Sequence, residues 1–209
     1  FYLSSVTFIP VTVAVAIFYT YPIIIVLAAP FVAGERMRPL YIGVACIAFA
    51  GILGVVGPSF DQLDWRGLAL AFLAAFLTAV QFFAANRAAR TSTMAKIFYI
   101  QIGVIPIALA VTLFTGTLES PMVAGRAPFG VALATIGYVI GFGCQMLSLS
   151  YLPATIASLV FCLEPVVAAL VSAWLLHERL SPLQYAGGGL VIFAVIVTVL
   201  ARDRRPRPA

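Results

Sequence analysis

One pattern occurs twice along the chain, as YPIIIVLAAPFVAGERMRPL at residues 21–40 and as EPVVAALVSAWLLHERLSPL at residues 164–183. The two copies are offset by 143 residues, and the same offset pairs residues 1–57 with residues 144–200 without a gap. About a dozen positions are identical, including prolines inside apolar runs, so shared hydrophobicity alone is a poor explanation. The sequence therefore predicts an internal structural repeat.

Apolar residues dominate the chain. Of its 209 residues, 63% are hydrophobic and 9% are charged, whereas soluble domains average about 45–50% and about 25%. Long apolar runs alternate with short polar stretches, which is typical of proteins that cross a membrane several times. We therefore expect an all-α integral membrane protein, a polytopic helix bundle surrounded by the lipid bilayer.

Seven apolar runs are long enough to cross the hydrocarbon core, which takes about 20 helical residues. Their predicted bounds are residues 11–33, 40–57, 67–85, 97–115, 129–149, 154–176 and 183–200, and residues 1–5 look like the tail of an eighth span. The chain begins with Phe1, with no initiator Met and no signal peptide. We expect it to be a fragment that lacks its native amino terminus.

Basic residues predict the orientation, because cytoplasmic loops retain lysine and arginine. The arginine-rich tail after the last span places the carboxyl terminus in the cytoplasm. Counting the spans backwards places Arg87, Arg90 and Lys96 in one cytoplasmic loop, and Arg36 and Arg38 in another. The net charge of +5 is thus explained by membrane orientation, and we expect no nucleic-acid partner.

The two copies of the repeat are expected to be inverted relative to each other. Five spans separate equivalent points, and an odd number of crossings reverses the direction of the chain. Inverted repeats are typical of secondary transporters, in which two halves exchange conformations around a site near the bilayer midplane. A duplicated scaffold without transport activity is the alternative.

Glu164 is the acidic residue deepest within a predicted span. A charged carboxylate at that depth costs roughly 2.5–3.5 kcal/mol or more unless it is paired or hydrated. It would then face a wet cavity, where it binds substrate or exchanges a proton, which makes protons a candidate coupling ion. Alternatively, it would hydrogen-bond the backbone freed by Pro165, because proline lacks an N–H and breaks a helix. Pro22 is the equivalent expected helix break.

Tyr21 occupies the position equivalent to Glu164, so the two copies are expected to offer a phenol and a carboxyl to one central site. Isolated polar residues in other spans are further substrate-binding candidates, namely Tyr138, Gln145, Gln81 and Gln101. Each of these glutamines would either contact substrate or link neighbouring helices.

Two Glu-Arg pairs, Glu35-Arg36 and Glu178-Arg179, lie at the ends of equivalent spans. They either cap and orient those helix ends or form gating salt bridges in one conformation. Glycines recur at helical spacing, as in Gly51 and Gly54, Gly137 and Gly141, and the run 187–189, and they predict close helix packing.

The sequence carries no catalytic or metal-binding pattern. It contains no GxSxG or HExxH motif, no paired intramembrane aspartates, one histidine, and three cysteines without metal-ligand spacing. We therefore expect no enzyme activity, no cofactor and no metal. A passive channel, a scaffold and, less favoured, an intramembrane enzyme are the alternatives to a transporter.

The duplicated motifs, Tyr21-Pro22 through Gly34-Glu35-Arg36-Met37-Arg38-Pro39 and Glu164-Pro165 through His177-Glu178-Arg179-Leu180-Ser181-Pro182, resemble the EamA-type transporters of the drug/metabolite transporter superfamily. The resemblance implies a ten-helix bundle of two inverted five-helix repeats, of which this chain has about seven helices and a stub. It implies that residues 1–57 end the first repeat, 58–66 form an outer linker, 67–200 form the second repeat and 201–209 form a basic cytoplasmic tail. The implied function is export of a small polar metabolite or amino acid by alternating access across a bacterial-type inner membrane.

Overall fold

The computed structural model describes residues 1–35, 38–57, 63–115, 128–176 and 179–201. All regular secondary structure in these ranges is α-helical, as the sequence predicts. The helices are α1 (Tyr2–Ser5), α2 (Val11–Phe18), α3 (Tyr21–Val32), α4 (Pro39–Val56), α5 (Trp65–Arg87), α6 (Thr93–Thr115), α7 (Pro128–Tyr151), α8 (Ala154–Phe161), α9 (Glu164–Leu176) and α10 (Pro182–Leu200).

Seven helical segments in the described ranges are long and apolar enough to cross a membrane. They are Val11–Val32, Pro39–Val56, Trp65–Arg87, Thr93–Leu113, Pro128–Tyr151, Ala154–Leu175 and Pro182–Leu200. The seven spans predicted from the sequence agree with these segments to within a few residues. The prediction of a polytopic all-α membrane protein is thus confirmed.

Lys96 is buried, which the sequence does not indicate. Its predicted position on the cytoplasmic side stays a prediction; in the structure it lies in the first turn of α6 and is only 4% exposed. Its Nζ donates to the Met146 carbonyl at 3.0 Å and to Ser150 Oγ at 2.5 Å. Because these acceptors near the end of α7 replace water, the ammonium is buried where its sequence context indicates a solvated charge.

The chain forms two compact units. The first unit contains Phe1–Ala84 together with the chain from Pro153 onward, and the second contains Ala85–Leu152. The sequence predicts other boundaries, namely two repeats joined by a linker at residues 58–66. These repeat boundaries stay a prediction.

The sequence repeat corresponds to a repeat of helices within the first unit. Helices α2, α3 and α4 begin at Val11, Tyr21 and Pro39, and helices α8, α9 and α10 begin 143 residues later. In each copy a proline that precedes the first helix acts as its N-cap, and the second helix carries a proline as its second residue. A proline in the first helical turn costs no hydrogen bond, so the chain resumes a helix there after a break.

The equivalent helices α4 and α10 run antiparallel. At the start of α4, Arg38 Nη1 donates to the carbonyl of Ala201, which follows α10, at 3.1 Å. At the other end, Gln184 Nε2 in the first turn of α10 donates to the Val55 carbonyl at 3.2 Å. The two copies of the repeat therefore run in opposite directions within the first unit.

Glycines allow α4 and α10 to approach closely. A Cβ atom added to Gly187 would lie 2.5 Å from the Gly51 carbonyl oxygen, and one added to Gly51 would lie 2.7 Å from the Gly187 carbonyl oxygen. By contrast, a Cβ added to Gly137 or Gly141 would meet no described atom within 4 Å. The predicted role in helix packing is thus correct for Gly51 and Gly187, whereas the described residues give Gly137 and Gly141 no such neighbour.

Candidate functional site

Glu164 lies at a break in the middle of a membrane-spanning segment. Helix α8 ends at Phe161, two residues form a turn, and Glu164 is the first residue of α9. Pro165 follows it and cannot donate the i→i−4 hydrogen bond to the Phe161 carbonyl, which explains why the helix is interrupted here. The side chain of Glu164 is exposed, whereas Pro165 is buried.

Glu164 lines a cavity of about 390 Å³ in the first unit. Its walls come from α1, α2, α4 and α9 and consist of Tyr2, Val11, Thr12, Val15, Phe18, Tyr19, Val55, Val56, Glu164, Pro165, Ala168 and Ala169. Val11 begins α2 and Val56 ends α4, so the cavity extends from the helix break to one end of the bundle. Its volume lies within the range of about 300–1,000 Å³ that small-molecule sites occupy.

Tyr19 is the phenol that faces Glu164. It occupies the turn between α2 and α3, its side chain is 7% exposed, and it lines the same cavity as Glu164. The rings of Tyr2, Phe18 and Tyr19 are neighbours, with ring centroids 5.3 Å apart for the first pair and 5.6 Å apart for the second. The sequence did not single out Tyr19.

Tyr21 lies next to this site but does not line the cavity. It is 3% exposed and packs among aromatic rings, with centroid distances of 5.4 Å to Phe18, 5.9 Å to Tyr19 and 5.4 Å to Phe82. Pro22, which follows it, is also fully buried. The structure thus brings Glu164 together with Tyr19, and Tyr21 supports the aromatic wall from behind.

The opposite end of the first unit is tightly packed around Glu35. Thr155 Oγ1 donates to Glu35 Oε2 at 2.6 Å, and Thr155 is 3% exposed. Gly34 has a left-handed backbone with φ of 65°, which ends α3 and turns the chain towards this contact. The space among Val26, Ala29, Pro30, Glu35, Arg38, Tyr41 and Thr155 is only about 10 Å³.

The remaining candidates lie elsewhere. Gln81 is half-buried on α5 in the first unit and does not line the cavity. Tyr138, Gln145 and Gln101 belong to the second unit. Tyr138 is 52% exposed and its ring stacks on Phe142 at 5.6 Å.

Gln101 in α6 has a buried Oε1 atom without a hydrogen-bond partner among the described residues, and Gln145 is half-buried. Arg179 is exposed. Arg36 and Glu178, the other members of the Glu-Arg pairs, lie outside the described residues, as do most of the linker at 58–66 and the tail after residue 201.

Polar groups near the end of α7 hold the second unit together. Asn86 Nδ2 donates to the carbonyls of Leu149 at 2.9 Å and Leu152 at 2.7 Å, and the buried Lys96 donates to Met146 one turn earlier. Asn86 thus satisfies the Leu149 carbonyl, which the end of α7 leaves without an intrahelical partner, and the positive charge of Lys96 complements the helix dipole there.

The chain matches the model of a known protein family. The model of the EamA-like transporter family matches residues 65–200. The chain belongs to the EamA-like transporter family. The resemblance drawn from the duplicated proline and Glu-Arg motifs is thus confirmed.

Three curated relatives of this EamA-family chain have the same name. The threonine/homoserine exporters RhtA of Escherichia coli K12, of strain O6:H1 and of strain O157:H7 are each 28% identical to it over 209 residues. Each match covers 96% of this chain, and the chain spans 66% of the length of these relatives.

A solved crystal structure has the same fold. It superposes on the chain with a TM-score of 0.80 at 22% identity, over 96% of this chain and 72% of that one. At this identity the likeness supports the helical fold alone.

Proposed function

We propose that this EamA-family chain forms part of a secondary exporter that moves a small polar metabolite, such as an amino acid, by alternating access across a bacterial inner membrane. The cavity of about 390 Å³ supports the proposal, because a carboxylate stands at its inner end beside the break in a membrane-spanning segment. Discontinuous helices near the bilayer midplane are typical of transporter binding sites.

The difference between equivalent positions in the two copies supports alternating access. Thr12 and Thr155 are identical residues offset by 143 positions. Thr12 lines the large cavity, whereas Thr155 is buried against Glu35 at the packed end. The two copies of the repeat thus have different surroundings. If the copies exchanged these surroundings, one end of the site would close and the other would open.

The proposed orientation assigns a direction to this conformation. With the carboxyl terminus in the cytoplasm, the packed end around Glu35 and Ala201 faces the cytoplasm. The cavity then reaches the outer face, so the conformation corresponds to an outward-facing state.

Threonine and homoserine are the first substrates to test, because the curated relatives are named as their exporters. Glu164 is the candidate group for proton coupling, since it is the one carboxylate among the described residues that line the cavity.

Everted membrane vesicles from cells that express the full-length gene product test the proposal. On energisation we expect the vesicles to accumulate labelled threonine or homoserine above the external concentration, chemically unaltered. A protonophore should abolish accumulation, and so should Glu164→Gln, because the glutamine cannot carry a proton. Asp64→Asn, which removes a carboxylate outside the cavity, is the matched control and should retain accumulation.

Each rival function has its own outcome in this assay. Equilibration without accumulation would indicate a passive channel, no flux would indicate a scaffold, and a chemically modified product would indicate an enzyme. Unchanged gradient-driven accumulation in the Glu164→Gln vesicles would remove the proton-coupling role.

A further inference from the structure

The described residues that line the cavity include an acidic side chain and no basic one. Glu164 is its one acidic side chain, and no lysine, arginine or histidine stands among the described residues that line it. The other polar groups are the hydroxyls of Tyr2, Thr12 and Tyr19, and the rest of the wall is apolar. A ligand that complements this wall carries a positive charge, and the described wall offers no charged partner to a negative one.

Glu164 lies at the amino-terminal end of a helix. It is the first residue of α9, a helix of 13 residues, so the positive end of the helix dipole lies at its carboxylate. The Tyr19 side chain lies beside Glu164 and lines the same cavity. Glu164 is thus the side chain through which the described wall can pair with a cation.

Aromatic rings extend the site around this anion. Tyr2, Phe18 and Tyr19 all line the cavity and form a continuous series of neighbouring rings. Ring faces attract ammonium groups, and the attraction strengthens where water is excluded. A carboxylate beside several rings is therefore suited to an organic cation.

We propose that this cavity selects its substrate by an ammonium group, which binds Glu164 and the rings of Tyr2, Phe18 and Tyr19. The inference rests on the proposed function, and it defines the substrate class more narrowly. The substrate is a small primary amine or an amino acid in which the amine is required and the carboxylate is dispensable.

Three probes that share one side chain separate these two requirements. L-threoninamide has the ammonium group without the carboxylate, N-acetyl-L-threonine has the carboxylate without the ammonium group, and L-threonine has both. Titration calorimetry of the full-length protein in lipid nanodiscs should rank threoninamide equal to or above threonine. N-acetylthreonine should bind at least about tenfold more weakly, since it loses a hydrogen-bonded charge pair.

Variants of Glu164 and Tyr19 test whether these residues cause the ranking of the probe affinities. Glu164→Gln should lower the affinity for threoninamide about tenfold or more and leave N-acetylthreonine unchanged. Tyr19→Phe keeps the ring and removes the hydroxyl, so we expect a decrease of a few fold. Asp64→Asn controls for the general attraction of cations, because Asp64 lies outside the cavity and accepts a hydrogen bond from the Arg66 backbone.

The wild-type ranking decides the inference even if a variant fails to fold. N-acetylthreonine binding as tightly as threoninamide, the absence of threoninamide binding at millimolar concentration, or a preference that survives Glu164→Gln would overturn it. Vesicle transport without any ammonium preference would refute this inference and leave the proposed function standing. An ammonium preference in a protein that transports nothing would support this inference on binding and refute the proposed function.

Discussion

Two neighbouring tyrosines show how far residue positions can be predicted from the sequence. The offset of 143 residues correctly pairs Tyr21 with Glu164, but it carries no information on where each side chain points. The turn after α2 directs Tyr19 to Glu164 and leaves Tyr21 among Phe18 and Phe82. The orientation of a side chain at a helix break depends on tertiary packing, which no sequence period describes.

These positions lead to a prediction for the two phenols. Tyr19→Phe should raise the transport KM a few fold, because it removes a hydroxyl from the cavity. Tyr21→Phe should leave the KM within about twofold, because Tyr21 does not line the cavity. Initial-rate measurements in vesicles compare the two variants, and a larger effect at Tyr21 would contradict the assignment of Tyr19.

Lys96 is a second residue whose surroundings the sequence does not predict. It follows Arg87 and Arg90 closely, so its context indicates a solvated loop, but Ser150 and a carbonyl of α7 supply its hydrogen bonds. These acceptors are distant in sequence, since Met146 lies 50 positions and Ser150 lies 54 positions from Lys96. A buried cation of this kind becomes visible only after the helices have been placed.

At the scale of helices, the contact between α4 and α10 depends on two glycines. Gly187→Ala should separate the helices, because the new Cβ would lie 2.5 Å from the Gly51 carbonyl oxygen. We expect a loss of roughly 1–3 kcal/mol of stability, as in other overpacked interiors. Thermal unfolding in detergent measures the loss.

Gly189 provides the matched control for this helix contact. It lies two positions along the same helix, and a Cβ there would meet no described atom within 4 Å. Gly189→Ala should be neutral or stabilising by up to about 1 kcal/mol, because alanine favours a helix. Equal destabilisation by both substitutions would show that the close approach does not hold the helices together.

The packed end of the first unit contains a side-chain pair between Thr155 and Glu35. Thr155→Val removes the hydroxyl that donates to Glu35 at 2.6 Å, so the closed end should open more often. A cysteine at Ala29, which lines the small space there, should then react severalfold faster with a maleimide added from the cytoplasmic side. Thr12→Val changes the equivalent threonine in the large cavity and should not accelerate the reaction. Equal acceleration by both variants would show that the contact between Thr155 and Glu35 does not keep this end closed.

For the whole molecule, the sequence predicts the architecture well and the site less well. Long apolar runs and the distribution of charge define the seven spans, and the repeated prolines indicate where helices α3 and α9 begin. The cavity could not be predicted, because its walls combine α1, α2, α4 and α9, which are distant in sequence. Repeats and spans are local patterns, whereas a cavity results from how helices pack.

Labelling of the two equivalent arginines tests directly whether the copies are inverted in the membrane. In a variant whose native cysteines are replaced, Arg36→Cys and Arg179→Cys are treated with a membrane-impermeant maleimide in intact spheroplasts. We expect Arg179→Cys to react at once and Arg36→Cys to react only after permeabilisation. Reaction of both positions from the same side would contradict inverted repeats and, with them, alternating access.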